Sequence, residues 1–193
     1  EPYKMTFFEH DAFHPRWSPD GEWIAFISNE PGLSQLMLLE TYGGKLKTVS
    51  VNERHYKRPM GILQVRVNEA GNSNITHNRA HITAADGKFY SPDNAYARAG
   101  TRGDMIFHNA GEFQIELPVG EVDLTFVKGF EYFTQNASVE IEAGEISRLS
   151  IELEPMTDMG AKGWYSASTH VHSNYGGNLH NTLENLMMMS RAE

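Results

Sequence analysis

The sequence lacks cysteine altogether among its 193 residues, which excludes disulfide bonds and thiolate metal sites. It also lacks an apolar run of the roughly 18–20 residues that a membrane-spanning helix needs, so we expect no membrane partner. No run of Lys and Arg reaches three residues, and the formal net charge is -9. Because nucleic-acid binding needs clustered cations against the phosphates, we expect no nucleic-acid partner either.

The chain begins with Glu1 rather than methionine, has no signal peptide, and stops inside a segment that predicts a helix. We interpret both ends as cuts through a longer protein. Hydrophobic residues still make up 40% of the chain, which is enough for a packed core.

The middle of the chain is rich in short apolar strands separated by turn signals. In residues 113–117 the apolar side chains alternate with polar ones and so share one face of a strand. Many short strands at this spacing predict an antiparallel β-sandwich over residues 60–155, with a long loop over residues 86–104. The strand candidates are residues 62–67, 80–84, 105–108, 113–117, 122–127, 139–141 and 149–153. The predicted core comprises Ile115, Leu117, Leu124, Phe126, Ile141 and Ile151.

Residues 11–50 predict a β-hairpin unit. The turn at residues 18–21 reads Ser-Pro-Asp-Gly, in which proline presets φ and Asp-Gly accepts the positive φ that closes the turn. Apolar strands are predicted after it, over residues 22–27, 35–41 and 46–51.

The last 30 residues have a different pattern. Residues 164–172 predict a strand, residues 173–178 a loop, and a helix is predicted to start near Asn181. Asn181 is the predicted N-cap, and Glu184 stands three residues later, as in a capping box. A strand, a loop and a helix in this order form the repeat of an α/β barrel. The predicted apolar stripe of the helix comprises Leu183, Leu186 and Met187.

His170 and His172 are the candidate metal ligands. Residues two apart in a strand project from the same face, roughly 6–7 Å apart, and two imidazoles so placed can bind one divalent ion. On spacing alone, surface or packing histidines explain the pair equally well, and a metal site needs three or more protein ligands as a rule. His180 is the nearest further candidate, but its position just before the helix favours a solvent-facing side chain.

Residues 163–177 and 181–186, which include the Thr-His-Val-His stretch, resemble the opening of hydrolases of the polymerase-and-histidinol-phosphatase (PHP) superfamily, in particular its carbaryl-hydrolase-like branch. The resemblance implies that His170 and His172 end the first strand of a distorted barrel and supply the first two ligands of a divalent metal, zinc above all. The branch usually has Gly-Asp before Thr-His, where this sequence has Ala167-Ser168. The chain alone is expected to be inactive, because most of the barrel would lie outside it.

Two further stretches resemble parts of the same branch. Residues 15–26 resemble a blade motif of TolB-like propellers, and residues 86–132 resemble an immunoglobulin-like module of the carboxypeptidase-regulatory type. The implied fold is mainly β: an immunoglobulin-like antiparallel β-sandwich flanked by one propeller-type β-hairpin unit and a C-terminal strand–loop–helix. The implied localisation is periplasmic or secreted in a bacterium. The implied domains are a partial blade at 1–55, the sandwich at 56–158 and the truncated start of a PHP-type domain at 159–193.

Two hypotheses for the function stay open. The chain is either the N-terminal, non-catalytic portion of a metal-dependent hydrolase, or a β-sandwich interaction or scaffold module with no enzymatic role. Under both, single repeat units at the two ends leave apolar side chains that need cover, since roughly three repeats are usually needed for stability. We therefore expect the end segments either to fold back onto the sandwich or, as the favoured alternative, to pair with another copy of the chain in a homodimer.

Overall fold

The fold is mainly β, as predicted. The computed structural model describes residues 4–99, 103–171 and 179–193, which form twelve strands, a short 3-10 helix at Gly160–Lys162 and one α-helix. The chain divides into two compact units: residues 1–55 with 170–185, and residues 56–169 with 186–193. No helix in the described ranges is long and apolar enough to span a membrane.

The first unit contains an antiparallel sheet of four strands in sequence order, β1-β2-β3-β4. The predicted turn forms: the backbone N–H of Trp23 donates to Ser18 Oγ (2.9 Å) and that of Glu22 to Asp20 Oδ1 (3.0 Å). β1 was not predicted, because it carries a proline and an irregular register around His14, whose φ is 52°. The strands are β1 (Ala12–Trp17), β2 (Trp23–Ser28), β3 (Gln35–Glu40) and β4 (Leu46–Val49).

Both faces of this sheet are apolar. On one face Phe26, Met37 and Leu39 are buried and pack with Met5, Phe8 and Ile24. The pairing of Ala25 with Leu38 and of Ile27 with Leu36 places these four on the opposite face. A sheet with two apolar faces is suited to lie between neighbours rather than at a surface.

The second unit is the predicted sandwich. One sheet has the order β11-β10-β6-β8-β7 and the other β12-β5-β9. All six predicted core residues are buried between the sheets, where the rings of Phe107 and Phe113 meet edge to face at 5.2 Å. The strands are β5 (Met60–Glu69), β6 (Asn78–Thr83), β7 (Tyr96–Ala99), β8 (Met105–Asn109), β9 (Glu112–Pro118), β10 (Gly120–Val127), β11 (Gln135–Ile141) and β12 (Ile146–Leu153).

One pair of neighbouring strands in the sandwich is parallel, which the antiparallel prediction did not include. β12 runs parallel to β5, because the turn after β11 carries the chain from the first sheet to the second. The crossing needs close backbone approach at Gly61, where a Cβ would lie 2.2 Å from the carbonyl oxygen of Glu142.

β7 lies inside the segment that was predicted to be a loop, residues 86–104. It is an edge strand of four residues, and among the strands that the structure describes it pairs with β8 alone. Four residues are too few for alternation to distinguish a strand from a loop.

The predicted strand over residues 164–172 is wrong in its described part. Residues 164–171 have no regular secondary structure, and His172 lies outside the described residues. A strand requires a neighbour for its backbone N–H and C=O groups. No described strand pairs with residues 164–171.

The predicted helix is present as α1 (Leu183–Ala192), but its cap and its buried face differ from the prediction. Its N-cap is Thr182, whose Oγ1 accepts the backbone N–H of Asn185 at 3.3 Å, so the choice of Asn181 was one residue early. Leu183 and Met187 are 68% and 46% exposed. The buried residues of α1 are Asn185 and Ala192. One is polar and the other small, so apolar periodicity does not reveal them.

Candidate functional site

The predicted metal pair is only half within the described residues. His170 has an exposed side chain in an irregular segment, and His172 lies outside the described ranges. Among residues 4–99, 103–171 and 179–193, no three His, Asp or Glu side chains are grouped so that they could hold a metal ion. Zinc binding by His170 and His172 therefore remains a prediction from the sequence.

His180 is engaged in the first unit rather than simply facing solvent. Its backbone N–H donates to Asp11 Oδ2 at 2.6 Å, and its Nε2 lies 3.2 Å from the carbonyl oxygen of Glu30. The hydrogen bond from His180, together with one from Asn29 Nδ2 (2.8 Å), holds the pKa of Asp11 below its ordinary value. Asp11 therefore fixes the segment that leads into α1.

The start of α1 is held by the loop between β2 and β3. Asn185 Nδ2 donates to the carbonyl oxygen of Gly32 at 2.9 Å. Gly32 has a φ of +79°, and a Cβ there would lie 2.4 Å from Asn185 Nδ2. Glycine at this position therefore permits both the turn and the close contact.

In the second unit, the end of α1 lies against the sandwich. Ala192 is fully buried, and its carbonyl oxygen accepts the backbone N–H of Gly129 at 3.0 Å. Lys128 Nζ donates to the carbonyl oxygen of Arg191 at 3.4 Å. These bonds satisfy carbonyls that a helix leaves unpaired at its C-terminus, and the ammonium group also complements the negative end of the helix dipole.

Glu193 extends this contact onto the outer face of the five-stranded sheet. Its Oε1 lies 2.9 Å from Arg79 Nη1 and 3.2 Å from His108 Nε2. Arg79 and His108 are register partners on β6 and β8, and both point away from the core side of Ala80 and Phe107. We call the four residues that receive the end of α1, Arg79, His108, Lys128 and Gly129, the helix-docking surface.

Lys128 is a half-buried cation with several partners. Its Nζ donates to Thr76 Oγ1 at 2.7 Å, lies 3.8 Å from Glu69 Oε1, and stands 5.4 Å from the centre of the Tyr132 ring. Burial lowers the pKa of Lys128, with the Glu69 carboxylate opposing. Tyr132 donates to the same carboxylate at 3.1 Å, and burial with the charge of Glu69 raises its pKa to about 12. These groups form a connected network around the partly buried carboxylate of Glu69.

An open groove of about 570 Å³ lies on the three-stranded sheet. The polar residues on either side of it come from two rows across the strands: Arg148, Gln64 and Gln114, and then Ser150, Arg66 and Glu112. Gln64 Nε2 donates to Gln114 Oε1 at 2.9 Å, and Arg66 pairs with Glu112 at 3.1 Å. The alternation in residues 113–117 places Gln114 on the polar face of its strand, but alternation does not show that a groove lies there.

No family model matches this sequence. Among solved structures, it is similar to the Bacillus anthracis TIE protein (17% identity, 72% of this chain and 28% of that chain, TM-score 0.36). It is also similar to the group B streptococcus pilus 2b backbone protein (10% identity, 76% and 54%, TM-score 0.34). A third is phospholipase PlaB from Legionella pneumophila (10% identity, 70% and 32%, TM-score 0.31). The chain thus spans 28–54% of the length of these three proteins, and similarity at this level identifies no family for it.

Sequence reasoning did not find the helix-docking surface. Its members are separated by up to 50 positions, and none belongs to a motif. The local signal closest to it is Gly129 beside Lys128, which by itself indicates only a turn. The contacts arise from tertiary packing of α1, which residue spacing within a strand does not encode.

Proposed function

We propose that this chain is a non-catalytic β scaffold belonging to a metal-dependent hydrolase. The observation that carries the proposal is the docking of the last turn of α1 on the sandwich, through Ala192, Arg191 and Glu193. In the resemblance to PHP hydrolases, α1 is the first helix after the His-x-His strand. A sandwich that fixes this helix would fix the start of the catalytic domain.

The first unit supports the same organisation. Its four-stranded sheet in sequence order, with apolar side chains on both faces, has the strand number of a propeller blade. A blade is packed between its neighbours, which accounts for the second apolar face. In this proposal the sandwich joins propeller and hydrolase in a periplasmic or secreted bacterial protein.

The hydrolase activity itself belongs to the proposed full-length protein and not to this chain. A divalent metal held by His170 and His172 would supply an activated water for attack on an ester, amide or phosphoester. Two imidazoles are fewer than the three or more protein ligands such a site needs, so we assign no catalytic step to residues of this chain. Expression of the chain with and without its downstream coding region, each assayed for zinc-dependent ester hydrolysis, tests this part. Activity in the short chain would contradict it.

The scaffold role is tested by removing one docking contact. Lys128→Met leaves the carbonyl oxygen of Arg191 without its ammonium partner, so the last turn of α1 should detach more often. Trypsin cleavage after Arg191, followed by mass spectrometry at short times, reports this detachment. The matched control is Lys88→Met, which removes an exposed lysine that lies 3.6 Å from Asp86. Cleavage after Arg191 should be faster in Lys128→Met alone; equal rates in both variants would argue against the docking role.

The groove on the three-stranded sheet favours a second function, that of an interaction module. Arg148 and Arg66 supply two guanidinium groups there against the single carboxylate of Glu112, in a chain whose net charge is -9. This local excess of positive charge suits a carboxylate-bearing partner. Titration with a glutamate-rich peptide, followed by the side-chain amide resonances of Gln64 and Gln114, tests it. Arg148→Ala should abolish the shifts, and Arg16→Ala, at an exposed position in the first unit, should not.

A further inference from the structure

Two histidines lie beside the last turn of α1, and the proposed scaffold role does not use their ionisation. The His108 side chain is only 2% exposed, and its Nε2 is 3.2 Å from Glu193 Oε1. Its other ring nitrogen, Nδ1, is buried with no hydrogen-bond partner among the described residues. The ring therefore has one hydrogen bond, to the helix end, and one buried nitrogen that is not satisfied.

His77 is the second of these histidines. It directly precedes β6, and its carbonyl oxygen lies 3.5 Å from Lys128 Nζ. Burial, followed by the charges of Arg191 and Lys128, lowers the pKa of His77. Burial also lowers the pKa of His108, with Glu193 opposing and Arg98 and Arg79 adding to the decrease.

Positive charge outweighs negative charge around these two rings. The groups that face them from the neighbouring elements are Arg191 on α1, Glu193 directly after α1, Arg79 on β6, Tyr96 and Arg98 on β7, and Lys128 after β10. Only Glu193 and the negative end of the helix dipole favour protonated histidine. Four cations and the loss of water oppose it.

We propose that the contact between the end of α1 and the helix-docking surface is pH-sensitive, and that acid releases it through protonation of His108 and His77. Docking disfavours the protonated form of both rings. A protonated His108 ring would be buried beside cations, and a protonated His77 ring would be half-buried near Arg191 and Lys128. Both rings would regain water if α1 moved away. The inference rests on the proposed scaffold role, because the regulated contact is the same one.

The direction follows from proton linkage. The ordinary pKa of histidine is about 6.5, and the docked state holds both values lower. Between the lowered pKa of the docked state and the ordinary value, the released state binds more protons than the docked state. Docking therefore weakens as pH falls below about 6.5 and is weakest below the docked pKa values. For each histidine, every unit by which docking lowers the pKa reduces the equilibrium constant for docking at low pH by up to about tenfold.

The test is amide hydrogen exchange in the full chain, reported as protection factors so that intrinsic exchange rates cancel. From pH 7.5 to pH 5, protection in residues 186–193 should fall by about tenfold or more. The core amides of β8 and β10 should stay protected. The double variant H77Q/H108Q should show no such fall, since glutamine does not titrate and still offers an N–H to Glu193. The control variant H14Q/H55Q, at two exposed positions, should behave as the wild type.

The outcomes separate the two proposals. Absence of protection in residues 186–193 at pH 7.5 would overturn both the scaffold role and the pH-sensitive contact. Protection that does not change with pH, or that falls equally in H77Q/H108Q, would overturn the pH-sensitive contact alone.

A second measurement does not require the histidine variants to fold. In Gly129→Ala the new Cβ would lie 2.3 Å from the carbonyl oxygen of Glu193, which should displace the helix end. NMR titration should then find the pKa values of His77 and His108 raised towards the ordinary value. Unchanged values in a variant whose helix end has lost protection would refute the linkage.

Discussion

Asn78 and Asn109 exchange two side-chain hydrogen bonds across β6 and β8. Asn78 Nδ2 donates to Asn109 Oδ1 at 3.2 Å, and Asn109 Nδ2 donates to Asn78 Oδ1 at 3.0 Å. Both amides are buried, and each has a further partner, in the carbonyl oxygen of Thr76 and the backbone N–H of Gly111. The pair fixes the end of the sheet next to the helix-docking surface.

The amide pair yields a stability prediction. Asn78→Ala should lower the free energy of unfolding by about 1–3 kcal/mol, because it removes both side-chain hydrogen bonds of the buried pair and leaves Asn109 with only the backbone N–H of Gly111 and the backbone carbonyl oxygen of Asn78. Urea denaturation measures this loss. Asn136→Ala, which removes an exposed amide bonded to Thr125, should change the free energy by less than about 0.5 kcal/mol. Equal losses in the two variants would show that the buried pair has no special role.

Tyr132 yields a prediction at alkaline pH. Its pKa is about 12 in the folded chain, against about 10 for an ordinary tyrosine. The unfolded chain therefore loses this proton first, and the free energy of unfolding falls as pH rises from about 10 to about 12. Tyr132→Phe should reduce the steepness of that fall, as followed by urea denaturation across this pH range. Tyr42→Phe, at a side chain that is 95% exposed, should retain the wild-type slope.

Metal binding by this chain alone should be weak. Two imidazoles without further ligands should bind zinc with a Kd above about 1 μM, as measured by calorimetric titration. His170→Ala combined with His172→Ala should remove that binding, and the exposed pair His14→Ala with His55→Ala should not. Binding tighter than this would mean that more ligands come from the chain or from a second copy of it.

The second apolar face of the first unit predicts self-association. Leu36 is 40% exposed and lies on the same face as Ala25, Ile27 and Leu38. We propose that for this chain alone a second copy takes the place of the neighbouring blades of the proposed full-length protein and covers this face, since burial of each large apolar side chain contributes about 1.5–3 kcal/mol. Light scattering should give the mass of a dimer for the wild type and of a monomer for Leu36→Asp. A monodisperse wild-type monomer would contradict the proposal.

The sequence predicted those parts of the fold in which a local pattern is sufficient. Alternation located the sandwich strands and assigned Leu124 and Phe126 to the core, since a shift of one residue would have reversed both faces. The parallel placement of β12 was not predictable, because alternation does not report strand direction. The cap of α1 was misplaced by one residue, since Asn181 and Thr182 are both good caps and tertiary contacts decide between them.

The candidate site was less predictable than the fold. His170 and His172 were identified from their spacing and a family resemblance, whereas no spacing rule connects Arg79, His108 and Lys128. Their common role comes from the end of α1, which lies against β6 and β8. The apolar stripe of α1 also did not indicate its buried face, because the buried residues are Asn185 and Ala192.

The central claim, that the sandwich holds the end of α1, depends on the close contact at Gly129. This residue has a φ of +48°, and a Cβ there would lie 2.3 Å from the carbonyl oxygen of Glu193. Gly144 is the matched control: its φ is +74°, and a Cβ there would meet nothing within 4 Å. Alanine is conformationally strained at both positions, so only the contact with α1 differs between the two variants.

The most direct measurement is amide hydrogen exchange at pH 7.5 in Gly129→Ala and Gly144→Ala. The account predicts that residues 186–193 lose protection by about tenfold or more in Gly129→Ala and keep it in Gly144→Ala, with the sandwich core protected in both. Equal protection of residues 186–193 in the two variants would contradict the claim that the sandwich is the scaffold for this helix.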